Sequence, residues 1–219
     1  MNNIVITIDG PSGSGKGTTA RGISKLLSIP HIDSGSIYRT LAYYLRMQDI
    51  APTADQEIAD ALCDFEMSYD EQGRVVVDGD VIEDEIRSRI NSKHAFLYSR
   101  NPIIRSFSNQ TQRALLYEGG VLDGRDAGSV VAPHADLKIY LDCDVDERTR
   151  RRALQHNITD EQELAELKQE ILDRDAADMN KGSASLHILP DSIVVDTSGM
   201  TVEEQIDAVY QLALTKIDK

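Results

Sequence analysis

Gly10-Pro11-Ser12-Gly13-Ser14-Gly15-Lys16 is the stretch of this chain best suited to chemistry. Glycines let successive backbone N–H groups converge on an anion, and Lys16 places an ammonium at the end of the run. Ile4-Val5-Ile6-Thr7-Ile8 precedes it, a β-branched run stopping at Asp9-Gly10 that reads as a strand buried on both faces. Lys16 to Leu27 follows as a helix, with Ala20, Ile23, Leu26 and Leu27 at helical spacing and Pro30 past its end. Strand, Gly-rich loop and helix, in that order, are the context a phosphate-binding loop needs, because the helix aims the positive end of its dipole at the same anion. The residue after Lys16 is Gly17, with Thr18 next, so the hydroxyl that commonly ligates Mg²⁺ is missing from its usual place.

Arginine supplies the second set of chemical residues. Arg148, Arg150, Arg151 and Arg152 form one cluster, and Arg39, Arg105 and Arg125 stand singly beside polar motifs. Their bidentate guanidinium groups suit a phosphate dianion. Overall the chain is acidic, with a formal net charge of −14, which argues against a duplex-binding surface. An acidic protein that concentrates arginine locally is suited to gathering a small polyanion, although the same arginines also fit solvated helix faces. His31, His94, His134, His156 and His187 show no metal-ligand spacing and read as surface or helix-end residues. Cys63 and Cys143 adjoin apolar residues without CxxC spacing, so both are expected as buried free thiols, which suits a reducing cytoplasm. No apolar run approaches the length of a membrane span, and the N-terminal residues lack the pattern of an export signal.

The elements that must position these residues alternate. His31-Ile32-Asp33 predicts a short second strand; Ser36 to Gln48 and Thr53 to Leu62 predict helices. Between Phe65 and Ile82 alternating residues and the turns Gln72-Gly73 and Asp78-Gly79 predict an antiparallel meander, inserted as a separate lobe. Asp84 to Tyr117 reads as mostly helical with a break near Pro102, and Phe107 and Tyr117 read as core. Further strands are expected at Val121-Leu122-Asp123, Leu137 to Leu141 and Ser192 to Val195, and Asp160 to Asp175 reads as a solvated helix face. Thr201 and Glu204 form a capping box opening a last helix, whose stripe is Ile206, Val209, Ala213 and Ile217. Strands alternating with helices predict an α/β fold of three layers around a five-stranded parallel sheet.

Three motifs in order carry a resemblance. Gly15-Lys16-Gly17-Thr18 is similar to the loop of nucleoside-monophosphate kinases, in which phosphates and waters hold most of the metal. Asp33-Ser34-Gly35-Ser36-Ile37-Tyr38-Arg39, together with Asp123-Gly124-Arg125-Asp126, resembles bacterial cytidylate kinases, and the similarity runs nearly end to end. The resemblance implies one P-loop kinase unit over residues 1–219, with an acceptor lobe at 34–117 containing the β insertion at about 65–82, and a helical lid at 148–181. It implies ATP, carrying Mg²⁺, on Gly10, Pro11, Ser12, Gly13, Ser14, Gly15, Lys16, Gly17 and Thr18, with no dedicated metal ligand. CMP or dCMP is the implied acceptor. Arg39 and Arg125 match arginines on the acceptor phosphate; Ser34, Arg105 and Asp126 match residues that read cytosine; Arg174 and Asp178 match the ribose contacts, and Tyr38 completes the acceptor set. Arg148 and Arg152 lie where the lid supplies arginines to the transferred phosphoryl group. A monomer, with neither nucleic acid nor membrane as partner, is expected.

Two positions depart from the family pattern. RDxxDxxR ends here in Lys181, which keeps the charge and loses the flat fork. Phe96 stands where the family has a serine near the sugar, so Ser92 or Ser99 substitutes, or ribose and deoxyribose are told apart differently. Other acceptors on the same fold, such as UMP or shikimate, and a nucleotide switch or RNA binder without turnover, are the alternatives. The DSGxxYR and GRD pair disfavours shikimate; Gly17 and the net charge disfavour the switch.

Overall fold

The computed structural model describes residues 3–70, 74–180, 182 and 185–217. The expected turn at Gln72-Gly73 and the departure at Lys181 lie outside the described residues.

β1 (Val5–Asp9) sits at the middle of a five-stranded parallel sheet in the order β2-β6-β1-β7-β8, where β2 is His31–Asp33, β6 Gly120–Gly124, β7 Leu137–Asp142 and β8 Ile193–Asp196. Ile8 pairs with Asp123 of β6 on one side and with Ile139 of β7 on the other. A central parallel strand is buried on both faces, which is why β1 and β6 carry no charge apart from the aspartates near their C-terminal ends. Ile6 and Ile8 turn to helices α1 (Lys16–Leu27) and α9 (Val202–Ile217), and share a core with Ala20, Ile23, Val209 and Ala213. Alternation turns Thr7 and Asp9 the other way. There a short π-helical segment, Ala127–Val131, lies so close that a Cβ on Gly128 would stand 2.9 Å from the Thr7 hydroxyl. Below the sheet's C-terminal ends, α7 (Val145–His156) and α8 (Glu161–Met179) pack on each other through Ala153, Leu167 and Ile171.

The chain divides into two compact units, residues 1–32 with 113–219, and residues 33–112. The second contains α2 (Ser34–Met47), α3 (Asp55–Cys63), α4 (Glu83–Arg87), α5 (Arg89–Tyr98) and most of α6 (Pro102–Leu115). Its core is Ile37, Leu41, Leu45, Ile58, Ile86 and Ile104, with Phe65 wedged between the rings of Tyr44 and Phe107. The meander is present as β3 (Met67–Tyr69), β4 (Val75–Val77) and β5 (Asp80–Val81), an antiparallel sheet separate from the parallel one.

Two expectations about burial are corrected. Cys63 is exposed, because it is the last residue of α3 and its thiol bonds back to the Ala59 carbonyl instead of entering the core; Cys143 is buried and free. Tyr117 is 86% exposed, since α6 ends at Leu115 and leaves the ring on a solvent-facing turn. No helix among the described residues is long and apolar enough to cross a membrane.

Candidate active site

The loop after β1 follows a path that only glycine permits at two points. A Cβ at Gly10 would collide with the Leu141 carbonyl of β7, and Gly15, at φ 96°, caps α1 in the left-handed region. Between them the loop's carbonyls are drawn away from its concave side by side-chain donors. Lys16 Nζ donates to Pro11 O at 2.6 Å, Arg148 Nη1 to Ser12 O at 3.1 Å, Thr197 Oγ1 to Ser14 O at 3.1 Å, and Gln205 Nε2 to Gly15 O at 3.1 Å. Those carbonyls are engaged by side chains, and an anion cradle needs the loop's amides rather than its carbonyls towards the ligand. Ser14 Oγ is buried and has no hydrogen-bond partner among the described residues, a polar atom in want of a ligand.

Lys16 is 6% exposed, and its pKa is held well below the ordinary lysine value. Burial is the main cause and the positive charge of Arg125 the next; Arg174 adds to it, while Asp123 and Asp9 oppose it. Lys16 thus sits, desolvated, in the field of two arginines and two carboxylates. Asp9 lies beneath the loop and accepts from Ala127 N at 2.9 Å and Gly128 N at 2.8 Å. Desolvation raises its pKa to about 6 despite those two donors, and Asp126 pushes the same way.

α7 and α8 grip the loop at Ser12. Asp175 accepts from Ser12 N at 3.2 Å and from Arg148 Nη1 at 2.5 Å, and Arg148 Nε donates to Cys143 O. Arg152 Nη1 donates to Ser12 Oγ at 3.1 Å. Of the other clustered arginines, Arg150 is taken up by Glu147, and Arg151 by Glu147 and the Thr197 carbonyl. Arg125 Nε donates to Asp178 Oδ2 at 2.9 Å, so the GRD motif and α8 meet directly. Arg174 lies one turn before Asp178 on the same helix, and both are at least half-buried. Asp126 precedes the π-helical segment without capping it through its side chain.

In the second unit, Asp33 caps α2 by accepting from Ser36 N and holds Arg39 Nη2 at 3.0 Å. Arg39 Nε is buried without a hydrogen-bond partner among the described residues. Ser34 opens the same helix and Tyr38 follows one turn later, while Arg105 lies in the first turn of α6. Phe96 carries the Arg100 guanidinium 4.6 Å over its ring, and the Ser99 hydroxyl donates to the Phe96 carbonyl.

Sequence reasoning missed several residues that shape the site. Gln205 lay in view, one turn before Val209 and Ala213 on the buried face of α9, where a polar side chain needs a reason. Asp175 was masked by the exposed-looking charge around it. His31, expected as a bland histidine, instead bonds Asp123 through Nε2 at 2.7 Å, a pairing 92 residues apart that no local pattern signals.

Residues 6–215 match the family model described as cytidylate kinase. Among curated relatives, a cytidylate kinase of Symbiobacterium thermophilum is 42% identical over 216 residues, spanning 95% of each chain. One from Geobacillus sp. (strain WCH70) is 37% identical over 221 residues, 99% of each. Among solved structures, an uncharacterized protein from Eubacterium ventriosum superposes with a TM-score of 0.55 at 14% identity, over 98% of this chain and 99% of that one, a likeness of fold alone.

Proposed function

The chain belongs to the cytidylate kinase family, and from that premise we propose that it passes the γ-phosphoryl group of Mg·ATP to CMP, and also to dCMP. An oxygen of the acceptor phosphate bonds to the γ-phosphorus as the bridge to the β-phosphate breaks, giving CDP or dCDP and ADP. The observation that carries the reading is the buried ammonium of Lys16, shifted by its own desolvation and by Arg125, at the end of a loop whose carbonyls are tied back. A polyanion relieves that charge.

Lys16 and the amides of the loop hold the donor's β- and γ-phosphates. Arg39 and Arg125 hold the acceptor phosphate, which is already ionised near neutral pH and needs no general base. Asp126 accepts from the exocyclic amine that cytosine has and uracil lacks, with Ser34 and Arg105 on the same base, Tyr38 and Lys181 beside the acceptor, and Arg174 and Asp178 on the sugar. Arg152, seated on Ser12, is the lid arginine for the transferred group. Arg148 acts by gripping the loop, since its guanidinium is committed to Asp175, Ser12 and Cys143.

Mg²⁺ fits this site as a passenger of ATP. Among the described residues no three His, Cys, Asp or Glu side chains converge to cage a metal. One carboxylate is well placed: Asp123 Oδ2 faces position 17, 3.7 Å from where a Cβ there would stand, beside Lys16. Asp123 would hold the ion, directly or through water, and the ion would neutralise charge on the β- and γ-oxygens. The free thiol of Cys143 suits a reducing cytoplasm, and we take the protein to be a monomer.

Lys16→Ala lowers kcat by roughly three orders of magnitude, and Asp126→Ala lowers the CMP-over-UMP preference in kcat/KM by about tenfold or more. Initial rates with both acceptors test this. A normal turnover in the first variant removes Lys16 from the donor site, and an unchanged ratio in the second removes Asp126 from base reading.

A further inference from the structure

We propose that His31 is a positioning residue for the metal side of the donor site, holding the Asp123 carboxylate in the orientation that receives the Mg²⁺ carried by ATP. The proposal rests on ATP as donor, and not on the identity of the acceptor.

His31 begins β2, the edge strand beside β6, and Asp123 is the fourth residue of β6. The side chains are 14% and 11% exposed, and Nε2 lies 2.7 Å from Oδ1. A carboxylate only accepts, so Nε2 carries the proton of this bond. One carboxylate oxygen is thereby committed, and the other is turned towards α1 at position 17. That position holds a Ser or Thr hydroxyl in the general loop pattern; here it is glycine, and Asp123 is the carboxylate that would meet the ion on this side.

A carboxylate on a short stem rotates easily about its last torsion. Lys16 is near enough for its charge and that of Asp123 to act on each other. Without the imidazole the carboxylate loses that orientation, which would take an oxygen away from the metal. The arrangement is that of a ligand oriented by an outer hydrogen-bond partner, whose loss commonly lowers metal affinity about 10- to 100-fold.

Mn²⁺ is the probe, and its binding to the complex of the protein with the imido analogue of ATP is read by water-proton relaxation, with no acceptor present. His31→Leu is expected to weaken Mn²⁺ binding by about tenfold or more. His31→Gln, which still offers an N–H, is expected to stay within about threefold of the parent. Adding Gly17→Ser to His31→Leu supplies a hydroxyl and recovers part of the loss. Should His31→Leu fail to fold, His31→Phe provides another donor-free side chain. Equal Mn²⁺ affinity in the parent and the donor-free variant overturns the proposal, and so does an equal loss in His31→Gln. Because no turnover is needed, a protein that ignores CMP yet shows these shifts would fail the proposed function and keep this one.

Discussion

At the scale of single residues, the site sets burial against charge. Asp9 shows it best, because its pKa of about 6 is set chiefly by desolvation while two backbone donors pull the other way. A raised carboxylate pKa means the folded protein binds the proton more tightly than the unfolded one. The stability this contributes is complete below the unfolded value near 3.8 and is lost as pH rises through about 6. Comparing urea denaturation of the parent and Asp9→Asn across pH 4 to 7 isolates the effect. The parent's stability relative to the variant should fall by about 2 kcal/mol over that window. A constant difference would mean that Asp9 is ionised throughout. Lys16 was legible from residue types and spacing, and the expectations for Arg39, Arg125, Asp126 and Asp178 came from the resemblance carried by the DSGxxYR and GRD motifs. Asp9, His31 and Gln205 were not legible, because their partners are set by strand register and helix packing, which spacing along one chain does not encode.

At the scale of elements, local chemistry was the better guide. The capping box forms as expected: Thr201 N donates to Glu204 Oε2 at 2.8 Å and Glu204 N to Thr201 Oγ1 at 3.2 Å. It opens the helix that carries Gln205 to the loop, where Gln205 bonds both Gly15 and Thr19. Thr201→Ala should cost about 1 kcal/mol in chemical denaturation; no change would mean that packing on α1 alone fixes the start of α9. Strands β1, β6 and β7 were legible because burial on both faces leaves them rich in apolar residues. The π-helical segment Ala127–Val131 was not, since what holds it is the Asp9 carboxylate 118 residues away. The charged face of α8 was misleading for a similar reason. Asp175 and Asp178 are buried among cations supplied by α7 and by the GRD motif, so their charge marks burial by pairing and not solvent.

At the scale of the whole molecule, a chain of net charge −14 divides its candidate phosphate-binding cations between two compact units. Lys16, Arg125, Arg148, Arg152 and Arg174 all lie within the unit built on the parallel sheet, while Arg39 and Arg105 belong to the unit of residues 33–112. Each unit has its own core, so each can hold its cations in place before any ligand arrives. The inserted meander was legible from its alternating residues and its Asp78-Gly79 turn. The surroundings of Phe96 were not, because no local pattern signals the Arg100 guanidinium over its ring. The central claim is tested most directly by ADP release from Mg·ATP with CMP, dCMP, UMP, AMP and GMP, against a blank without acceptor. The account predicts strong stimulation by CMP, comparable stimulation by dCMP, weaker stimulation by UMP, and little by the purine nucleotides. ADP release that is slow and the same whichever monophosphate is added would contradict it.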